Sequence, residues 1–411
     1  MEFRTVTLPN GLEIVAECNP AAYTMALGFF VKTGARDETD DVAGVSHFLE
    51  HMLFKGTPRR SADDVNREID EIGDCNAFTS EEGTVFHATV LPESQTRALD
   101  LLADILRPSL READFDTEKN VILEEIQMYE DQPPFGADEK CRAAWFGPHP
   151  LGRSVLGTAE SIRDLTVGAM RAYFDRRYAS DNVVLAAAGR VDFDALVADA
   201  RQMCGTWQPA GSRRAIEPAV PCPGFRVLER ASATQQYVLQ FAQGPTAEDD
   251  DRYAAKLLAM ILGDDTGSRL YWELVDPGLA EHAEVSHCEF EGAGAFISSM
   301  SCAPEDTADN LQCLLDVFRE AETEGVTAAE LDQAKSKVRS RLVLSGERPR
   351  GRLFAIGTDW VYRREYRTLE DDLNLVAALH LDDVMAVLGR YPLTRNLTLT
   401  IGPIGDVAPP E

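Results

Sequence analysis

At 411 residues, 44% hydrophobic and 27% charged, the chain is long enough for two to three domains around a large core and has the balance of a soluble globular protein. Its 69 acidic against 40 basic residues leave a net charge of −29, which repels nucleic-acid phosphates and anionic membranes and so excludes both as partners. Basic peptides would be attracted, although such an excess serves general solubility equally well. Eight cysteines, Cys18, Cys75, Cys141, Cys204, Cys222, Cys288, Cys302 and Cys313, form no C-x-x-C pair and support neither a cysteine zinc knuckle nor a disulfide framework. The N-terminus has neither a basic nor an apolar leader segment, and no apolar run approaches bilayer length. A cytoplasmic protein is expected.

Two strands over 5–8 and 12–17 flank Pro9-Asn10-Gly11, the signature of a hairpin turn, and a third strand covers 25–32. A polar loop over 34–41 follows. Its acidic end is expected to place Asp40 or Asp41 at the N-terminus of the next helix, where the helix dipole favours negative charge. That helix carries His47, Glu50 and His51. At about 100° per residue the three share one face, among Phe48, Leu49, Met52, Leu53 and Phe54. Polar groups on so apolar a helix are costly to bury unsatisfied. One Zn2+ would satisfy both imidazoles at i and i+4 and leave the carboxylate beside a metal-bound water. This is the H-x-x-E-H arrangement of the inverzincins. With seven histidines in the chain, chance supplies about 0.01 such patterns.

A helix over 61–72 begins at Ser61 and stops at Gly73. The stretch 75–79 reads by itself as an ordinary strand. The strand over 84–91 puts Val85, His87, Thr89 and Leu91 on one face, so that His87 reads as a core or substrate-side histidine. Helices are expected over 92–106, 114–129 and 137–146, with a break at 131–136. His149, between two prolines, reads as a turn residue. A long helix over 161–178, a buried strand over 182–189 and a helix over 192–205 end the first half. Residues 207–223 are rich in proline without apolar periodicity and read as a linker. The pattern then restarts. Strands fall at 225–229, 235–242, 283–289 and 295–301, helices at 249–262, 305–324, 327–344 and onward to 380, and a last strand at 396–401. The expected fold is α+β, two similar halves (1–206, carrying the metal site, and 224–411), each a mostly antiparallel sheet packed against helices.

The run His47-Phe48-Leu49-Glu50-His51-Met52-Leu53-Phe54-Lys55-Gly56-Thr57 resembles the zinc-site segment of the pitrilysin/insulinase family of metallopeptidases. The likeness is strongest to the short-subunit branch that includes the mitochondrial processing peptidases. Asn76-Ala77-Phe78-Thr79-Ser80, Pro150-Leu151-Gly152-Arg153, Leu156-Gly157-Thr158 and Gly267-Ser268-Arg269-Leu270-Tyr271 look like further landmarks of that family, in the family's order.

The resemblance implies that Glu125 completes the metal site. Glu118, seven residues earlier and so on the same helical face, would be an outer acidic partner orienting a ligand histidine. Glu124 would project about 100° away from Glu125. The resemblance also implies that a peptide backbone adds as a strand to Asn76, Ala77, Phe78 and Thr79. Halves of two subunits would enclose a chamber, as a homodimer or as a heterodimer with a related subunit. The implied activity is zinc-dependent cleavage of extended peptides by His47, His51 and Glu125 around Zn2+, with Glu50 as general base. One departure stands out. Active members carry an Arg and a Tyr after the Ser-Arg-Leu-Tyr landmark, and here Val275 and Glu281 occupy those places. The missing help to the oxyanion would then come from a partner chain, or from Arg269 or Tyr271, with His282 a weaker candidate. The alternative is a zinc-site subunit dependent on a partner, or a non-catalytic peptide-binding subunit.

Overall fold

The computed structural model describes residues 1–131 and 136–410, so most of the break expected at 131–136 lies outside the described residues. The polypeptide is organised around two mixed sheets, each backed by helices. The first contains β1 (Glu2–Thr7), β2 (Glu13–Cys18), β3 (Met25–Val31), β4 (Gly73–Thr79), β5 (Thr84–Val90) and β6 (Val183–Gly189), in the order β1-β2-β6-β3-β5-β4. Only the β2–β6 pair is parallel. Gly11, at φ +88°, turns β1 into β2. Every residue of β3 and β6 is buried, because helices cover both faces of the sheet centre. β4 forms the edge, with exposure alternating along it.

The second sheet contains β7 (Gly224–Glu229), β8 (Gln236–Gln243), β9 (His282–Phe290), β10 (Ala293–Cys302) and β11 (Asn396–Gly402), in the order β7-β11-β8-β10-β9. It repeats the first without β1. In each, the last strand in sequence inserts beside the first strand of the motif in parallel and beside the next one antiparallel.

Two segments cross between the sequence halves. One compact unit comprises Met1–Ile126, Arg153–Ala215 and Val343–Leu369, the other Gln127–Gly152, Ile216–Leu342 and Glu370–Glu411. In the first, the helix Pro349–Arg363 lays Leu353 and Ile356 on Val15, Ala26, Phe30, Val85 and Val184 of the sheet. Gly357 permits the close approach, since a Cβ there would stand 2.3 Å from the Phe30 ring. Arg352 fastens the helix through a buried ion pair with Glu17 at 2.6 Å. In the second, the helix Ala137–Phe146 packs Trp145 and Phe146 with Phe241, Phe290 and Leu399. The helices Arg252–Gly263, Thr307–Glu324 and Leu381–Arg390 fill the unit's larger core.

The single helix expected over 161–178 is two, Ala159–Asp164 and Val167–Arg177. The Thr166 hydroxyl accepts from the Ala169 N–H and starts the second one afresh. Helix also extends past 380, through Leu381–Arg390. All eight cysteines are free. No described helix is long and apolar enough to cross a membrane.

Candidate metal centre

The motif helix, Val45–Leu53, starts at Gly44 in the left-handed region, φ +87°. A Cβ there would stand 2.4 Å from the Leu156 carbonyl oxygen. The acidic group at the helix start is Glu38, not Asp40 or Asp41. Its two oxygens accept from the Gly44 and Ser46 N–H groups at 2.7 Å each, whereas Asp40 pairs with Arg153 on the surface. Glu38 wins because its side chain is buried and reaches two of the free N–H groups of the first turn. Burial pushes its pKa up to about 8 against the bonds that favour the charged form. Behind the helix, Ser46 Oγ, Tyr173 Oη and Thr33 Oγ1 form a buried hydroxyl chain with links of 2.8 and 2.7 Å.

Phe48, Leu49, Met52 and Leu53 are buried, and Phe48 stacks on Phe115 at 4.7 Å between ring centroids. Phe115 belongs to the helix Glu112–Asp131, so this apolar contact docks the two helices that carry the polar cluster. From that second helix Glu125 reaches the motif face. Its Oε2 lies 3.8 Å from His47 Nε2 and 3.9 Å from His51 Nε2. One donor atom from each of the three side chains lies within 4.8 Å of the others. Glu124, on the same helix, is exposed.

The state of each group suits a cation. Burial, and secondarily the neighbouring His51, hold His47 down to about 4, which keeps its imidazole neutral. Burial raises Glu125 and Glu50 above the usual carboxylate range. His51 Nδ1 faces Glu118 Oε2 at 3.3 Å, and the other Glu118 oxygen is held by Lys55 Nζ at 2.7 Å. Glu50 accepts from the Thr79 hydroxyl at 2.6 Å. Two imidazole nitrogens and one carboxylate oxygen within 4.8 Å of one another form a donor set that fits Zn2+ with a fourth position left over.

The structure therefore gathers His47, Glu50, His51, Glu118, Glu125 and Thr79. Of the remaining β4 residues, Asn76 and Phe78 are exposed and Ala77 is half-buried. Phe78 faces away from the motif helix, its ring 5.9 Å from Phe354, as the pleat requires once Thr79 faces Glu50. His87 lies buried against Phe354, and His149 bonds the Glu217 carbonyl. Lys55 and Glu38 escaped the sequence reading. For Lys55 a signal existed, because it stands one turn beyond His51. In the other unit, Arg269 pairs with Glu330 and bonds the Gly325 carbonyl. Val275 packs on its unit's core and Glu281 is exposed. His282 pairs with Glu284 at 3.6 Å.

Residues 13–159 match the sequence profile described as Insulinase (Peptidase family M16), and residues 164–338 match that described as Peptidase M16 inactive domain. An uncharacterized zinc protease of Mycobacterium tuberculosis is 35% identical over 98% of this chain and 94% of its own length. The uncharacterized zinc protease YmxG of Bacillus subtilis is 32% identical over 98% of each chain. A probable mitochondrial-processing peptidase subunit beta of Arabidopsis thaliana is 30% identical over 99% of this chain and 79% of its own. The fold is shared with the crystal structure of a protease from Helicobacter pylori, at a TM-score of 0.91 and 20% identity over 98% and 99% of the two chains.

Proposed function

Because this chain belongs to the insulinase family of peptidases, M16, we propose that it is a zinc-dependent endopeptidase acting on extended or unfolded peptides. The observation that carries the proposal is the convergence of His47, His51 and Glu125, from two separate helices, with Glu50 beside them. The zinc-protease names of its relatives agree with that donor set.

His47, His51 and Glu125 would hold the ion. Zinc at such a site acts as a Lewis acid and brings the pKa of a water toward neutrality. Glu50, half-buried and held by Thr79 at one oxygen, keeps the other for the proton of the attacking water and later returns it to the leaving amine. Glu118 fixes the His51 ring through Nδ1, leaving Nε2 for the ion. The edge strand β4 offers its backbone to a peptide added as a further strand, which binds by main-chain bonds with little demand on side chains.

A second reading draws on Val275 and Glu281, where the resemblance leads one to expect an Arg and a Tyr. In it the chain is the zinc-site subunit of a dimer whose partner, a related chain, supplies those groups. An oxyanion donor is commonly worth ~10²–10³ in kcat, so the two readings differ in rate. The purified chain should be assayed on an internally quenched unstructured peptide, with and without chelator, and with Glu50→Gln. Chelator-sensitive cleavage by the chain alone, lost in Glu50→Gln, supports the endopeptidase. Cleavage only after addition of a related subunit supports the second reading, and chelator-resistant cleavage sinks both.

A further inference from the structure

Among the described residues the Glu50 carboxylate has one hydrogen-bond partner, and it comes from the strand to which substrate would add. Thr79 is the last residue of β4, paired with Thr84 across the hairpin. Its hydroxyl donates to Glu50 Oε2 at 2.6 Å. The turn that follows is immobilised from both sides. Ser80 accepts at its carbonyl from the Ala35 N–H, and Glu81 accepts from the Arg36 N–H at 2.8 Å. Ser80 also closes the turn on Gly83. Gly34 lies so close that a Cβ there would stand 2.2 Å from the Ser80 carbonyl oxygen. The hydroxyl is thus a donor fixed in place by backbone. Glu50 lies on a helix whose start is fixed as firmly by Glu38.

Along β4 the pleat divides two tasks. Thr79, with Ala77 and Cys75, faces the motif helix. Phe78 and Asp74 face the other way, toward Phe354 and Arg350. The Thr79 side chain is therefore turned from the plane in which the backbone would pair with a new strand, and removing its hydroxyl leaves that pairing surface intact.

The geometry points to Thr79 as a positioning residue for the general base, in addition to any part its backbone takes in holding peptide. By occupying Oε2 it leaves Oε1 as the one oxygen free for the water's proton, and it ties the orientation of that carboxylate to the strand that receives the substrate. This rests on the endopeptidase reading. General-base catalysis is steeply sensitive to placement, a shift of about 1 Å costing on the order of 10²-fold.

Thr79→Val keeps the shape of the side chain and removes the donor, and Thr79→Ser restores the donor without the methyl group. On the quenched peptide, Thr79→Val is expected to lower kcat by roughly ten- to a hundredfold with KM within about twofold of the parent. Thr79→Ser is expected to recover most of the loss. The visible spectrum of the cobalt(II)-loaded protein should be the same in all three, because the metal donors are untouched. A Thr79→Val kcat close to the parent's overturns the inference while leaving the endopeptidase standing. A loss that Thr79→Ser fails to recover, or one accompanied by an altered cobalt spectrum or a raised KM, also overturns it, by making Thr79 a structural or substrate-binding residue. A parent chain that cleaves nothing, alone or with a related subunit, defeats the underlying reading instead, and the positioning role with it.

Discussion

Lys55 holds its ammonium 2.7 Å from one oxygen of Glu118, whose other oxygen stands 3.3 Å from His51 Nδ1. The carboxylate is buried and the lysine more than a third exposed, so the lysine supplies the charge that makes a buried Glu118 tolerable. Groups that fix the free nitrogen of a ligand histidine typically contribute 10–100-fold in metal affinity. Glu118→Gln is accordingly expected to weaken zinc binding by about that factor, and Lys55→Met by somewhat less. Competition with a chromogenic chelator measures it. Affinity unchanged in Glu118→Gln would remove Glu118 from the site.

The acidic helix gives a sharper contrast between neighbours. Glu125 is half-buried within 3.9 Å of both imidazoles, and Glu124 is exposed. Glu125→Gln is expected to abolish stoichiometric zinc after dialysis, while Glu124→Gln retains one ion per chain. Metal analysis of the two proteins decides it, and the reverse outcome would place the third ligand one residue earlier. Zinc lost from Glu125→Gln should also cost thermal stability relative to the loaded parent, because an ion that binds only the folded state stabilises it by mass action.

What could be read from sequence followed the range of the interactions involved. His47, Glu50 and His51 are legible because their spacing along one helix is local and the chemistry of the set is restrictive. The distance to Glu125 is not local, and only the family likeness directed attention to it. The acidic group at the start of the motif helix is set by the fold of the loop, not by nearness in sequence. Proximity along the chain favoured Asp40 and Asp41, but the loop folds so that Glu38 turns inward and the two aspartates face solvent. The restart at Thr166 has a local signal, a hydroxyl side chain three residues before the N–H it accepts from. The crossing of Pro349–Arg363 onto the first sheet has no local signature at all. An amphipathic helix carries no address, and the Arg352–Glu17 pair that supplies one joins residues far apart in sequence.

Glu38 predicts a pH dependence with a definite sign. Its folded pKa is raised from 4.5 to about 8, chiefly by burial. Between those values the folded protein holds a proton that the unfolded chain releases, so this group's contribution to stability is complete below about pH 4.5, declines as pH rises and is lost above about 8. Glu38→Gln cannot titrate. The stability difference between parent and variant, from urea unfolding at a series of pH values, should therefore move against the parent across pH 4.5–8 and level off above it. A difference that is flat over this window would mean that Glu38 ionises normally. Glu38→Ala should cost a further ~1–3 kcal/mol at every pH, because it leaves buried N–H groups without an acceptor.

The Arg352–Glu17 pair tests the crossing itself. Glu17 is 1% exposed and Arg352 5%. Arg352 makes three contacts to the carboxylate between 2.6 and 3.1 Å, and Tyr366 adds a hydrogen bond at 2.9 Å. Replacing one member strands a buried charge, whereas replacing both with apolar groups removes the charge and its penalty together. Arg352→Met should therefore destabilise the first unit by about 3–5 kcal/mol, while Arg352→Met combined with Glu17→Met should recover much of that. Since Phe354 on the same helix contacts Phe78 of β4, the single variant should also raise KM for peptide before the zinc content falls. Denaturant unfolding followed at the two tryptophans of this unit, Trp207 and Trp360, would read the first effect. A double variant no more stable than the single one would show that the helix is held by its apolar face alone, with the ion pair an incidental neighbour.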